Sequence, residues 1–319
     1  MVLALRKLFL ASVGCMAVCT AANAERFDAT DILLDDVTGN VKITTTGGDA
    51  IEVVIKQGKT YHSVAVSASD GVVTLKGEEW REDEGRQCCD NRIKRTVNNR
   101  NDRTASTGKP IDEGFFAEYP TIEIKMPRSG DATFIDARMT LAMESIDGAL
   151  NLDACYVYGE AGDADEAVLG VVDGSRLVMG DIKSGLEIDV SGDADVMTGS
   201  AAIADIDIAG PGDVILGNVD GMLDVTIAGS GVVRASRIEG PVDVRIAGSG
   251  VVAIKGGRAE KLRATIDGSG AIFMEGATVS PELRLFGSSE VRLASVDGRI
   301  THHGRGEVYV DDKLIEKKK

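Results

Sequence analysis

The amino-acid sequence predicts an all-β chain wound into a parallel β-helix, a β-solenoid with rungs of about 19 residues. Three observations predict it. The motif Ile208-Ala209-Gly210-Pro211-Gly212-Asp213-Val214 returns as Ile227-Ala228-Gly229-Ser230-Gly231-Val232-Val233, as Ile246-Ala247-Gly248-Ser249-Gly250-Val251-Val252 and as Ile266-Asp267-Gly268-Ser269-Gly270-Ala271-Ile272, with a worn copy at Leu285-Phe286-Gly287-Ser288-Ser289-Glu290-Val291. Its first glycines stand at 210, 229, 248, 268 and 287, a near-constant period of short β runs split by glycine, as in a solenoid. Aromatic residues make up only 4% of the chain, which suits a narrow core already filled by stacked Ile and Val. A sandwich of hairpins would not need the same residue at the same phase of every repeat. The crossover rule favours a right-handed coil.

The first 24 of the 319 residues read as a secretory signal peptide. Arg6 and Lys7 precede an apolar run over residues 8–20, and Ala22-Asn23-Ala24 offers small residues for cleavage. The run is too short to span a membrane, and no second one follows. Cys15 after Val13-Gly14 hints at a lipobox, but Ser12 stands where Leu is usual. Losing Arg6 and Lys7 takes the net charge from −16 to −18. So acidic a chain lacks the basic footprint that nucleic acid or anionic membrane requires.

Residues 25–129 form an N-terminal β region. Val41-Lys42-Ile43-Thr44, Ile51-Glu52-Val53-Val54-Ile55 and Val72-Val73-Thr74-Leu75 read as strands, with turns at Gly39-Asn40, Gly47-Gly48 and Asp70-Gly71. Residues 77–119 interrupt it as a charged insertion with few apolar residues, which Trp80 is expected to pin to the body. The chain beyond the signal has three cysteines. Cys155 could pair with Cys88 or Cys89, or these vicinal two could close a ring on themselves. Their spacing fits no zinc site.

Alternation resumes at Pro120-Thr121-Ile122-Glu123-Ile124-Lys125-Met126-Pro127, and residues 130–310 carry the β-helix. Asp-Gly or Glu-Gly marks one corner at 147, 173, 220, 239 and 297. Inward columns are expected two and four residues before each repeat glycine (Ile208, Ile227 and Ile246; Ile206, Val225 and Val244) and four and six after it (Val214, Val233 and Val252; Leu216, Ala235 and Ile254). Val219, Ile238, Val279 and Val296 are expected to fill a third short side. Glycine at the corners permits positive φ and close stacking. Residues 311–319 form a basic tail. The tail and the insertion are candidate caps for the unpaired β edges at the two ends.

The inventory for catalysis is thin. His62, His302 and His303 are the histidines, and no nucleophile elbow, P-loop or zincin motif occurs. His302 and His303 are neighbours on a strand and point to opposite faces. The Gly-x-Gly elements open onto strands, so they lack the helix N-terminus that a phosphate site exploits. The outward positions are more informative. Glu187, Asp205, Asp224 and Asp243 form one acidic ladder, continued by Arg263 and Glu282. Asp189 and Asp207 begin a second, continued by Thr226, Arg245, Thr265 and Arg284. Stacked like charges need an offset from solvent, Arg or Ca²⁺. No catalytic, cofactor or metal residue is assigned beyond this ladder as a Ca²⁺ candidate.

The repeats at 228–231, 247–250 and 267–270 resemble the GIN domain, the auto-transporter adhesin head domain of exported bacterial proteins. Leu34-Asp35-Asp36-Val37-Thr38-Gly39-Asn40-Val41 is similar to the related adhesin-like domain. The resemblance covers about residues 130–310 and, more weakly, 25–76. It implies an exported β-helical, adhesin-like protein and supplies no catalytic residues. The chain departs from the pattern at Pro211, at Ser288-Ser289 and in the 77–119 insertion. The expected function is therefore a non-catalytic envelope scaffold, periplasmic or at the cell surface, whose partner is an envelope protein, a polysaccharide or another copy of itself. The alternatives are a β-helical polysaccharide lyase or hydrolase, with Asp205, Asp207 and Asp224 as suspects, and a cation-dependent binding module.

Overall fold

Alternation with a period of two puts every second side chain into one interior, and the structure stacks that interior coil upon coil. The computed structural model describes residues 24–78 and 114–315. The N-terminal strands are β1 (Glu25–Phe27), β2 (Asp31–Asp35), β3 (Thr38–Thr46), β4 (Ile51–Lys56), β5 (Ala65–Ser69), β6 (Val72–Lys76) and β7 (Thr121–Pro127). They are not stacked in chain order. β6 and β7 form a coil beneath β2 and β3, which in turn lie beneath β8 (Ala132–Met143). Beyond that coil the chain reverses: β5 pairs antiparallel with β6, β4 with β7, and β1 with β4. These antiparallel strands cover the N-terminal end where the insertion was expected to do so; most of the insertion lies outside the described residues.

From β8 onward the coils follow the chain: β9 (Ala149–Ala161), β10 (Glu166–Val172), β11 (Arg176–Met179), β12 (Ile182–Ser191), β13 (Asp195–Met197), β14 (Ala201–Gly210), β15 (Asp213–Val219), β16 (Leu223–Gly229), β17 (Val232–Gly248), β18 (Val251–Ile254), β19 (Gly257–Gly268), β20 (Ala271–Gly287), β21 (Glu290–Val296), β22 (Thr301–Gly304), β23 (Glu307–Val310) and β24 (Lys313–Leu314). Every pairing from β8 to β23 is parallel. β24, in the tail, turns back antiparallel on β23 and closes that edge. One continuous sheet passes through residue 130, so the N-terminal region and the repeats share one core.

The expected columns stand inside. Val190, Ile208, Ile227, Ile246, Ile266 and Leu285 are buried one above another, and so are Ile188, Ile206, Val225, Val244, Ala264 and Leu283. The second side buries Val196, Val214, Val233, Val252, Ile272 and Val291. The Gly-x-Gly element has a two-part cause. Its first glycine holds positive φ (132° at Gly210, 140° at Gly229), which turns the corner. Its second lies against an aliphatic branch of the coil before: a Cβ on Gly231 would stand 2.7 Å from Ile208 Cγ2, and one on Gly250 2.6 Å from Ile227 Cγ2.

The third side needs a correction. Val219 and Ile238 are buried as expected and Val296 packs half-buried against the core in register with Thr278, but Val279 is only half-buried and out of phase. There the inward phase passes through Ala259 and Thr278 instead. The cause is a bulge in β20 between Met274 and Ala277, just before Val279. The extra residue of the 20-residue repeat is taken up elsewhere, opposite Pro241 and beyond Ala259. A one-residue slip exchanges inside for outside.

Candidate functional site

The first side of the solenoid offers the widest regular outer surface. Its strand rows are stacked in the order β10, β12, β14, β16, then the later part of β17, of β19 and of β20, then β22. Outward residues on these rows align into columns. Glu187, Asp205, Asp224, Asp243, Arg263 and Glu282 are in register, as are Asp189, Asp207, Thr226, Arg245, Thr265, Arg284 and His303. Both ladders therefore exist as the spacing implied. They are flanked by two columns that charge patterning alone did not single out. On one edge stand Ile203 and Met222, 53% and 42% exposed, beside Pro241. On the other stand Ala209, Ala228 and Ala247, leading to Asp267 and then Phe286, 49% exposed.

Arginine offsets part of the carboxylate stacking. Arg245 pairs with Asp224 at 2.9 Å and Asp243 at 3.2 Å. Glu282 pairs with Lys261 at 3.2 Å and Arg263 at 3.4 Å, and these partners hold its carboxyl below the usual range. Burial raises the Asp224 carboxyl; Arg245 opposes that, while Asp243 and Asp205 add to it. The ladder carboxylates are spread along flat columns. Among the described residues no three His, Cys, Asp or Glu side chains converge to hold a metal ion.

Small residues at Val168 and Gly170 on β10 open a groove of about 410 Å³ in this side, walled by Asp153 and Asp189. Asp205, Asp207 and Asp224 stand outside it. Burial, and secondarily the charge of Asp136, pushes the Asp153 carboxyl up. A carboxyl whose pKa is raised on folding stabilises the fold while protonated, and that stabilisation is lost as pH rises through its folded pKa. Asp153 and Asp224 both have this sign. The melting temperature is therefore expected to rise as pH falls from about 7 toward the ordinary aspartate range near about 4. Relief of the net charge of −16 acts in the same direction. Scanning calorimetry on wild type and on Asp153→Asn/Asp224→Asn checks it. The double variant should show a shallower rise, and equal slopes would refute the assignment to these two groups. Below the ordinary carboxylate range the trend should reverse, because Glu123, Asp147 and Glu282 have lowered pKa values.

Other acidic residues serve the frame. Asp163 Oδ1 accepts from the Asp181 backbone N–H at 2.9 Å, and Asp181 Oδ1 accepts from that of Ser200 at 2.7 Å. Asp131 does the same for Ala149 at 2.7 Å. Each carboxylate satisfies a corner N–H of the following coil, a role the turn motifs did not reveal. His302 stands over Leu283 on the inward phase and His303 over Arg284 on the outward one. Cys155 is buried and disulfide-bonded. Cys88 and Cys89 lie outside the described residues, as do residues 1–23 and Trp80. The returning end of the insertion is anchored by Phe116, which is buried against Tyr156 with ring centroids 5.6 Å apart. Asn40 Nδ2 donates to the Phe116 carbonyl at 2.7 Å.

Charge is partitioned along the stack. Residues 139–233 contain 18 acidic and 2 basic residues, whereas residues 234–313 contain 11 acidic and 12 basic. The coils up to β16 thus carry a strong negative field, and the later ones bring most of the arginines. Among the described residues no helix is long and apolar enough to cross a membrane.

Neither a family model nor a curated protein sequence matches the chain. Among solved structures it is similar to a "putative adhesin" from Parabacteroides merdae, at 15% identity and a TM-score of 0.37, covering 92% of this chain and 97% of that one. A "putative adhesin" from Parabacteroides distasonis gives 12% identity and a TM-score of 0.35, covering 91% and 97%. A "putative lipid binding protein" from the same organism gives 12% and 0.29, covering 92% and 97%.

Proposed function

We propose that this chain is an exported, non-catalytic, adhesin-like scaffold of the cell envelope, and that the first side of its solenoid is the contact surface. The observation that supports this reading is the outer face itself. It is flat, repeats over many coils, and places charged ladders between exposed apolar columns. The interior is filled by stacked aliphatics, so recognition has to be built on the outside. A stack of hydrogen-bonded coils is stiff and holds such a surface without large loops. Export follows from the reading of residues 1–24 as a signal peptide, and the GIN-like repeats fit an envelope role.

Pull-down from envelope extract tests the surface. Wild type should capture components that Ala247→Arg loses, since Ala247 is exposed on the edge column of that side, midway along the stack. Equal capture by both would refute the assignment. The rival reading is a carbohydrate-active enzyme, and the groove between Asp153 and Asp189 favours it. Turnover of any acidic or neutral polysaccharide, abolished by Asp153→Asn, would replace the scaffold reading with that one.

A further inference from the structure

We infer that the first side of the solenoid is a self-complementary interface, and that its occupant is a second copy of this chain packed face to face with its coil axis reversed. The inference rests on the reading of this side as a contact surface and names its partner.

The argument starts from the order of charges. A two-fold axis parallel to the strands reverses the order of coils but keeps each outward column opposite itself. The charge columns are asymmetric from end to end, acidic through β16 and arginine-bearing from β17 onward. Placing the axis over the β17 segment of Pro241, Asp243, Arg245 and Ala247 therefore brings unlike groups together on either side of it, while on the axis Asp243 and Arg245 each meet their own counterpart and offset one another through the 3.2 Å pair they form within each copy. Asp224 then faces the second copy's Arg263, Asp207 faces its Arg284 and Asp189 faces its His303; by symmetry each contact occurs twice. In the flanking column Ala209 meets the second copy's Phe286, and Ala247 meets Ala247 on the axis, where the small side chain lets the sheets approach to about 10 Å. Asp205 faces Glu282 in this arrangement, and Lys261 and Arg263 already hold Glu282. An axis perpendicular to the face could not oppose the two surfaces at all.

The size is sufficient. The seven strand rows from β12 to β22 span about 34 Å at the inter-strand spacing, and seven residues of strand span about 23 Å. That gives about 800 Å² per copy, the area of a standard stable interface. The exposed Met222, Pro241 and Phe286 supply apolar contact that the ladders alone would lack.

Sedimentation equilibrium on the full chain, at low salt and at about 1 M NaCl, provides the test. Wild type should be a dimer that weakens with salt. Asp207→Arg and Arg284→Asp should each weaken self-association about tenfold or more, and the double variant should restore it. Both residues are exposed, and circular dichroism verifies that each variant folds. Ala247→Arg should give a monomer. A wild-type monomer at about 100 μM, within the usual range of transient interfaces, would overturn the inference, as would a dimer indifferent to Ala247→Arg or a double swap that stays weak. A monomer whose envelope capture still depends on Ala247 would sink the dimer and leave the contact surface standing. Loss of both would sink both.

Discussion

Ile227→Asp should abolish the folded solenoid. Ile227 is fully buried, with Ile208 directly beneath it and Ile246 directly above. It also packs beneath Gly250, whose missing side chain leaves room for the Ile227 methyl branch. Truncation to alanine at such a site costs about 2–5 kcal/mol through lost transfer energy and the cavity left behind. Aspartate adds an unpaired carboxyl in a column with no polar partner, a cost of several further kcal/mol whether it ionises or is protonated. Since a domain's whole stability is about 5–15 kcal/mol, the sum takes most or all of it. Its position in the middle of the stack matters too. Each coil is stabilised by its two neighbours, so a broken central coil removes both interfaces at once. Ala228→Ser is the matched control, because Ala228 is the next residue along the strand and points outward, and a small uncharged side chain leaves the outer face as it is. It should stay within about 0.5 kcal/mol of wild type. Urea denaturation followed by circular dichroism reads both. Unchanged melting of Ile227→Asp would mean that this column does not face the core.

That contrast marks what could be read from the chain before any coordinates. Columns such as Ile208, Ile227 and Ile246 were legible because one spacing repeats and alternation of period two assigns a face. The acidic ladders were legible for the same reason: Asp205, Asp224 and Asp243 keep one phase relative to the glycines. The N-terminal coils were not. Nothing local in Val72-Val73-Thr74-Leu75 tells that β6 lies beneath β2, an element some forty residues earlier in the chain. Pairing there is decided by which edge is open when the chain returns, a long-range property. Val279 was misplaced because a bulge is a property of two strands together, and the sequence of one strand does not display it. The corner carboxylates Asp163 and Asp181 were hidden for another reason. Aspartate beside glycine is a common turn signal on its own, so its second role, accepting an N–H from the coil above, leaves no separate mark. As for the contact surface, its charges were legible. Its apolar edges were not, because single exposed residues such as Met222 gain meaning only once Ile203 and Pro241 stand beside them.

Gly229→Ala should be far more damaging than the addition of one methyl group suggests. Two independent costs meet at this corner. The backbone holds φ at 140°, where an L side chain is strained by about 1–2 kcal/mol. A Cβ there would also stand 2.6 Å from the Gly210 carbonyl oxygen of the coil beneath. Relief would require the two coils to separate, which lengthens the hydrogen bond from the Ser230 N–H to that same oxygen, now 3.1 Å. Overpacking of this kind costs about 1–3 kcal/mol more. The total expected loss is therefore about 2–5 kcal/mol for one methyl group. Gly47→Ala isolates the mechanism, since nothing lies within 4 Å of a Cβ there and its φ is not positive. It should be neutral or stabilising by a few tenths of a kcal/mol, through the smaller entropy of the unfolded chain. Comparing the two by urea titration separates stacking from ordinary turn chemistry. If Gly229→Ala were as mild as Gly47→Ala, the close approach of successive corners would not be what the glycine repeat is for.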